Sequence, residues 1–140
     1  MSMSPAEGLV YEFFPAELLC VSYTGQEPDA GDWDGYFALL SARTADRMRF
    51  VVYVDGPAPS RAIQARISDA ARDRPWRVVL LSSSMALRFV VSVFSFVNRT
   101  IRFFPPEELR AALDHLECSA REVLLVERAL ARFRGASLTE

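Results

Sequence analysis

The sequence contains no lysine: all sixteen of its basic residues are arginine. Arginine's planar fork suits bidentate contacts with anions. The codon usage of a GC-rich genome gives the same bias, and alanine is abundant alongside arginine, so this absence by itself assigns no site. Cysteine is nearly missing too. Cys20 and Cys118 are the only two, and neither lies in a CxxC pair. No disulfide framework is expected, and a reducing, cytoplasmic compartment is. The one histidine, His115, sits beside Asp114; it is read as a partly exposed helix residue and no metal is expected. Glycine-rich phosphate loops are absent: neither GxGxxG nor a P-loop occurs, and no GxSxG elbow either. Nucleotide cofactors and serine-hydrolase chemistry therefore have no anchor in the chain. A net charge of −2 gives no electrostatic reason for nucleic-acid binding. Long hydrophobic runs are missing as well. The longest, from Met85 to Val97, is broken by Arg88, Ser92 and Ser95, whereas a membrane span needs about 20 apolar residues. Residues 1–8 lack a basic segment followed by an apolar one, so no signal peptide is expected.

What is present is material for a core. Hydrophobic residues make up 51% of the 140 and charged residues 24%, the balance of one globular domain, with its core over about residues 9–134 and frayed ends at 1–8 and 135–140. Leu9–Phe14, stopped by Pro15, reads as an edge strand. Leu18–Thr24 reads as a second strand, close enough to pair with it as a hairpin. Asp29 or Asp32 caps a helix carrying Trp33, Tyr36, Phe37 and Leu40 at helical spacing and fading by Asp46. The unbroken β-branched and aromatic run Phe50–Val54, within Arg49–Asp55, fits a strand covered on both faces. Ser60–Asp73 follows as a helix with Ile63, Ile67 and Ala70 inward. Trp76–Leu81 is a second buried strand, and a polar Ser82–Ser84 turn leads to a broadly apolar helix from Met85 to about Asn98. Ile101–Phe104 is a short last strand. Pro106, Glu107 and Glu108 suit the first turn of a helix with Leu109, Ala112, Leu113 and Leu116 inward. After a break near Cys118 and Ser119, a final helix turns Val123, Leu124, Val126 and Leu130 inward toward Phe133, with Gly135 as its C-terminal signal. The order β-β-α-β-α-β-α-β-α predicts an α/β fold with a mixed, mostly parallel sheet.

Three stretches carry a family likeness: Val51–Asp55 leading through Gly56-Pro57-Ala58-Pro59 into a helix; Val78–Ser84 followed by Arg88-Phe89-Val90-Val91; and Arg102–Glu108 followed by Ala111-Ala112-Leu113 and Leu116. In that order and spacing the chain resembles the STAS-like or SEC14-like group, often labelled SpoIIAA-like, of small bacterial single-domain proteins. The resemblance implies a STAS-like element order and a role in regulation through protein binding. In regulatory members a Ser or Thr at the start of the helix after the third strand is phosphorylated, usually directly after an Asp. Here Asp55 is followed by Gly-Pro-Ala-Pro, and Ser60 is the first hydroxyl, so the spacing departs from the family pattern. Ser60 also reads as a helix N-cap; a phosphate on it would meet a positive helix end near Arg61 while repelling Asp55.

The remaining candidates have plainer readings beside the functional ones. Ser82 and Ser84 sit at a strand's carboxyl end, where open α/β sheets bind ligands, and also suit a cap and turn. Asp29, Asp32 and Asp34 do not continue as a calcium loop and read as caps. Arg88 lies in a first helical turn, where its charge opposes the helix dipole, so it should meet an acid such as Asp55 or an external anion. On the apolar helix, Leu87, Val91, Phe94 and Phe96 form a candidate interface for a protein partner or for self-association. No catalytic group, cofactor or metal is expected. The function expected is a non-enzymatic, protein-binding regulatory or adaptor domain, self-associating as a homo-oligomer. A carrier of a small apolar ligand or lipid is the alternative that the SEC14 relationship implies.

Overall fold

Five runs rich in valine, leucine, phenylalanine and tyrosine form strands: β1 (Leu9–Phe14), β2 (Leu19–Thr24), β3 (Arg49–Val54), β4 (Arg77–Leu81) and β5 (Ile101–Phe104). The computed structural model describes residues 8–25, 29–42, 47–56, 60–71, 76–85, Leu87 and 101–138. The strands make one sheet in chain order, β1-β2-β3-β4-β5. β1 runs antiparallel to β2, and the other three pairings are parallel. The mixed, mostly parallel α/β sheet is therefore present. Among the described residues four helices accompany it: α1 (Ala30–Ser41), α2 (Arg61–Ala71), α3 (Leu109–His115) and α4 (Ala120–Leu138).

Side chains alternate across the sheet with the two-residue period of a strand. Cys20 and Phe50 point to one face, where Trp33, Tyr36, Phe37 and Leu40 of α1 cover them with Met48 and Trp76; Ile63, Ile67 and Ala70 of α2 pack alongside. Leu19, Val21, Tyr23, Val51, Tyr53, Val79 and Leu81 point to the other, against Ala112, Leu113 and Leu116 and the α4 residues Val126, Ala129, Leu130 and Phe133. The crossovers β2-α1-β3 and β3-α2-β4 thus share one face, and α3 and α4 close the opposite one.

Several ends differ from the expectation. Leu18 leaves β2 because its backbone is left-handed (φ 51), closing the 3₁₀ turn Pro15–Glu17. The α1 start is a reciprocal capping box, with Asp32 N–H donating to Asp29 Oδ1 at 2.8 Å and Asp29 N–H donating to Asp32 Oδ2 at 3.1 Å. α1 ends at Ser41, short of Asp46. Leu124 is exposed, not inward: at 3.6 residues per turn, Val123, Val126, Leu130 and Phe133 share a stripe with Ala129, and Leu124 falls beside it. Gly135 does not stop α4, which continues to Leu138. Glycine ends a helix by taking a left-handed conformation, and Gly135 does not take one.

The α3–α4 corner is tightly built. Glu117 takes the left-handed position (φ 59). Its N–H reaches Asp114 O at 2.9 Å, and Cys118 N–H reaches Leu113 O at 3.1 Å, a Schellman arrangement without glycine. Ser119 and Glu122 then exchange capping hydrogen bonds at 3.2 and 2.8 Å. Arg49, at the start of β3, grips this corner. It meets Glu122 bidentately at 2.7 and 3.0 Å and also donates to Leu116 O at 3.4 Å and Glu17 O at 2.8 Å. Arg77, in register beside Arg49, donates to His115 O. Two arginines thus satisfy carbonyls that the end of α3 would leave bare. No described helix is long and apolar enough to cross a membrane.

Candidate functional site

The carboxyl ends of the parallel strands gather most of the polar residues singled out from the sequence. β2 ends at Thr24, β3 runs out into Asp55, β4 into Ser82 and β5 ends at Phe104. Asp55 is placed by its own backbone: its N–H donates to Thr24 O at 2.8 Å, and that of Gly56 donates to the same oxygen at 3.0 Å. Its carboxylate accepts the Tyr23 hydroxyl at 2.9 Å. Burial, then the hydrogen bond to Asp55, pushes the Tyr23 pKa up to about 12, so Tyr23 is a neutral donor at physiological pH. Tyr53, its neighbour on β3, lies 5.8 Å away between ring centroids, and the Arg134 guanidinium stacks 4.8 Å from the Tyr53 centroid. Thr24 Oγ1 is buried without a hydrogen-bond partner among the described residues.

The serines are engaged in local backbone contacts. Ser60 Oγ accepts from Ile63 N–H at 3.2 Å and its carbonyl from Gln64 N–H at 2.9 Å, so Ser60 is the N-cap of α2. Replacing Ser60 by alanine should lower stability by about 1 kcal/mol in urea unfolding; no change would remove the cap from this account. Ser82 is buried; its Oγ accepts from Ser84 N–H, and Ser84 Oγ accepts from Leu87 N–H, both at 3.1 Å. The pair forms the turn and cap that lead into helical residues Met85 and Leu87.

His115 stands on the far end of α3. Its ring tilts against Phe104 at 6.0 Å between centroids. Burial lowers its pKa, and Arg102 and Arg77 lower it further, so the imidazole is neutral at physiological pH. Burial pushes the Cys20 thiol up to about 12 and raises that of Cys118; both cysteines are free and both thiols stay protonated, hence weak nucleophiles. Among the described residues no three His, Cys, Asp or Glu are grouped to hold a metal. Asp29 and Asp32 cap each other, and Asp34 pairs with Arg66 at 3.3 Å.

Leu87 is a correction to the candidate interface. It is 3% exposed and packs with Val54 and Ile101, because the Ser82–Ser84 turn drops the chain back onto the sheet. Arg88, Val91, Phe94 and Phe96 lie outside the described residues. Sequence reading missed the Tyr23–Asp55 bond, the Tyr53–Arg134 stack and the Arg49–Glu122 pair. The first depends on strand pairing: Tyr23 and Tyr53 are in register and point to one face, and Asp55 lies two residues beyond Tyr53. The others join residues far apart in the chain. No protein-family model matches the chain, nor does any curated protein or solved structure.

Proposed function

We propose that this chain is a non-enzymatic regulatory or adaptor domain, STAS-like in element order and cytoplasmic, that acts by binding another protein. One observation carries the reading: β2, β3, β4 and β5 follow one another in the sheet in chain order. Open α/β sheets bind small substrates in the crevice where the strand order reverses, and a sheet that never reverses between its parallel strands has no such crevice. The three serine hydroxyls at that end support the same reading, since Ser60, Ser82 and Ser84 all accept local backbone hydrogen bonds. Asp55 and Ser60 are both exposed at this end, where a docked partner would read the β3–α2 loop. Two free cysteines fit a reducing compartment.

The test is capture from the native cell with the tagged chain as bait, read by mass spectrometry. A protein retained by the native chain and lost with Asp55→Arg is the expected result. Binding that is indifferent to this change, or no protein retained at all, would overturn the proposal. Native mass spectrometry of the same preparation reads out the carrier alternative, which requires a co-purifying apolar molecule.

A further inference from the structure

β1 is an edge strand with an unusual composition. Its six residues, LVYEFF, hold one charge and no proline or glycine, and all six stay in register with β2, without a bulge. Both of its faces contribute to the core. Leu9 and Phe13 join the α1 side of the core, Val10 and Phe14 the α4 side, and Tyr11 meets the Tyr36 ring edge-on at 5.2 Å. Its outer edge carries no strand among the described residues. Alternate residues of an antiparallel edge turn N–H and C=O outward, a template for another strand. Proteins ordinarily blunt such an edge with lysine, proline or a bulge, and β1 has none of these. Its one charge, Glu12, is already paired with Arg132.

We propose that β1 is a dimerisation edge that pairs antiparallel with β1 of a second copy, joining two sheets into one of ten strands. A second copy fits for a reason of register. A two-fold axis perpendicular to the sheet brings like faces together, so the two registers of greatest overlap centre on Tyr11 or on Glu12. Centring on Glu12 sets two carboxylates directly opposite, which is unfavourable. Centring on Tyr11 sets Leu9 opposite Phe13 and Val10 opposite Glu12, with the Tyr11 rings meeting at the axis. Tyr11 is one of three exposed large hydrophobic residues among those described. The pairing is closed, so it consumes the edge without growing into a fibre. The inference is independent of the partner-binding reading above, which uses the loops at the carboxyl ends of the parallel strands and not the outer edge of β1.

Light scattering of the full chain should give twice 15.7 kDa. Tyr11→Lys should return it to a single-chain mass, because two ammonium groups would meet at the axis. Tyr11→Cys gives a second readout. Directly opposed residues of an antiparallel pair lie about 4.5–5.5 Å apart between Cα atoms, within reach of a disulfide, so mild oxidation should cross-link two copies of this variant and leave the native chain uncross-linked. A single-chain mass at high concentration together with an uncross-linked Tyr11→Cys variant overturns the proposal. So does a dimer that survives Tyr11→Lys, since its interface must lie elsewhere.

Discussion

Replacing Arg49 by methionine should lower folding stability by about 3 kcal/mol, the range for breaking a largely buried ion pair by removing one member. The two side chains are only 18% and 14% exposed, so solvent screens them weakly. The loss has three parts. Glu122 keeps its charge in a half-buried setting without its bidentate partner, Leu116 O and Glu17 O lose their donors, and the α3–α4 corner loses its tie to the sheet. Urea unfolding checks the value, and a loss under about 1 kcal/mol would mean that the pair is no more than a surface contact. The pH dependence has a definite sign. The Arg49 hydrogen bonds hold the Glu122 carboxyl below its usual range, with Ser119 helping. A carboxyl whose pKa is lower folded than unfolded stabilises the protein above the unfolded value, about 4.3, and that contribution fades as pH falls through the folded value. The native chain should therefore lose stability on acidification below about pH 4.3, and Arg49→Met should remove the part of that slope that the Arg49 hydrogen bonds to Glu122 contribute.

Leu116→Ala should cost about 3 kcal/mol, whereas Leu124→Ala should stay within about 0.5 kcal/mol. Both are leucines read from the sequence as inward, yet Leu116 is fully buried and Leu124 is 44% exposed. Removing Leu116 leaves a cavity between β4, α3 and α4 where neighbours already meet side chain to side chain, and close-packed interiors relax only in part. Comparable losses at the two positions would contradict the helix rotation described. Because Leu116 also offers its carbonyl to Arg49, Leu116→Ala and Arg49→Met should not add.

The contrast between these residues shows what was legible in the sequence. Strand positions were readable because alternation and β-branched runs are local: β1 and β5 appear with their expected bounds. The break between α3 and α4 was readable from Ser119 for the same reason. Leu124 was misread because four apolar residues in a row, Val123 to Val126, leave the rotation of a helix undetermined until a packed neighbour selects the stripe. Gly135 was misread because a glycine permits a stop without imposing one. The Arg49–Glu122 pair was invisible: 73 positions separate its members, and no periodicity links a strand start to a helix start. At the candidate site the caps were legible as short polar spacings, and the Tyr23–Asp55 bond follows from register, which only the folded sheet supplies. Arg134 reaches Tyr53 from the last turns of α4, a contact that no local spacing announces.

The placement of α4 has a consequence for biosynthesis. Leu19, Val21 and Tyr23 leave the ribosome early, but the surface that shelters them, Val126 to Phe133, comes more than a hundred residues later. At common translation speeds that interval is on the order of ten seconds. Until α3 and α4 emerge, that side of the nascent sheet stays greasy and uncapped. Stalled or truncated chains ending before α4 should therefore be the species that chaperones hold and proteases clear, and completion of the last helix is the event that releases the molecule from that surveillance.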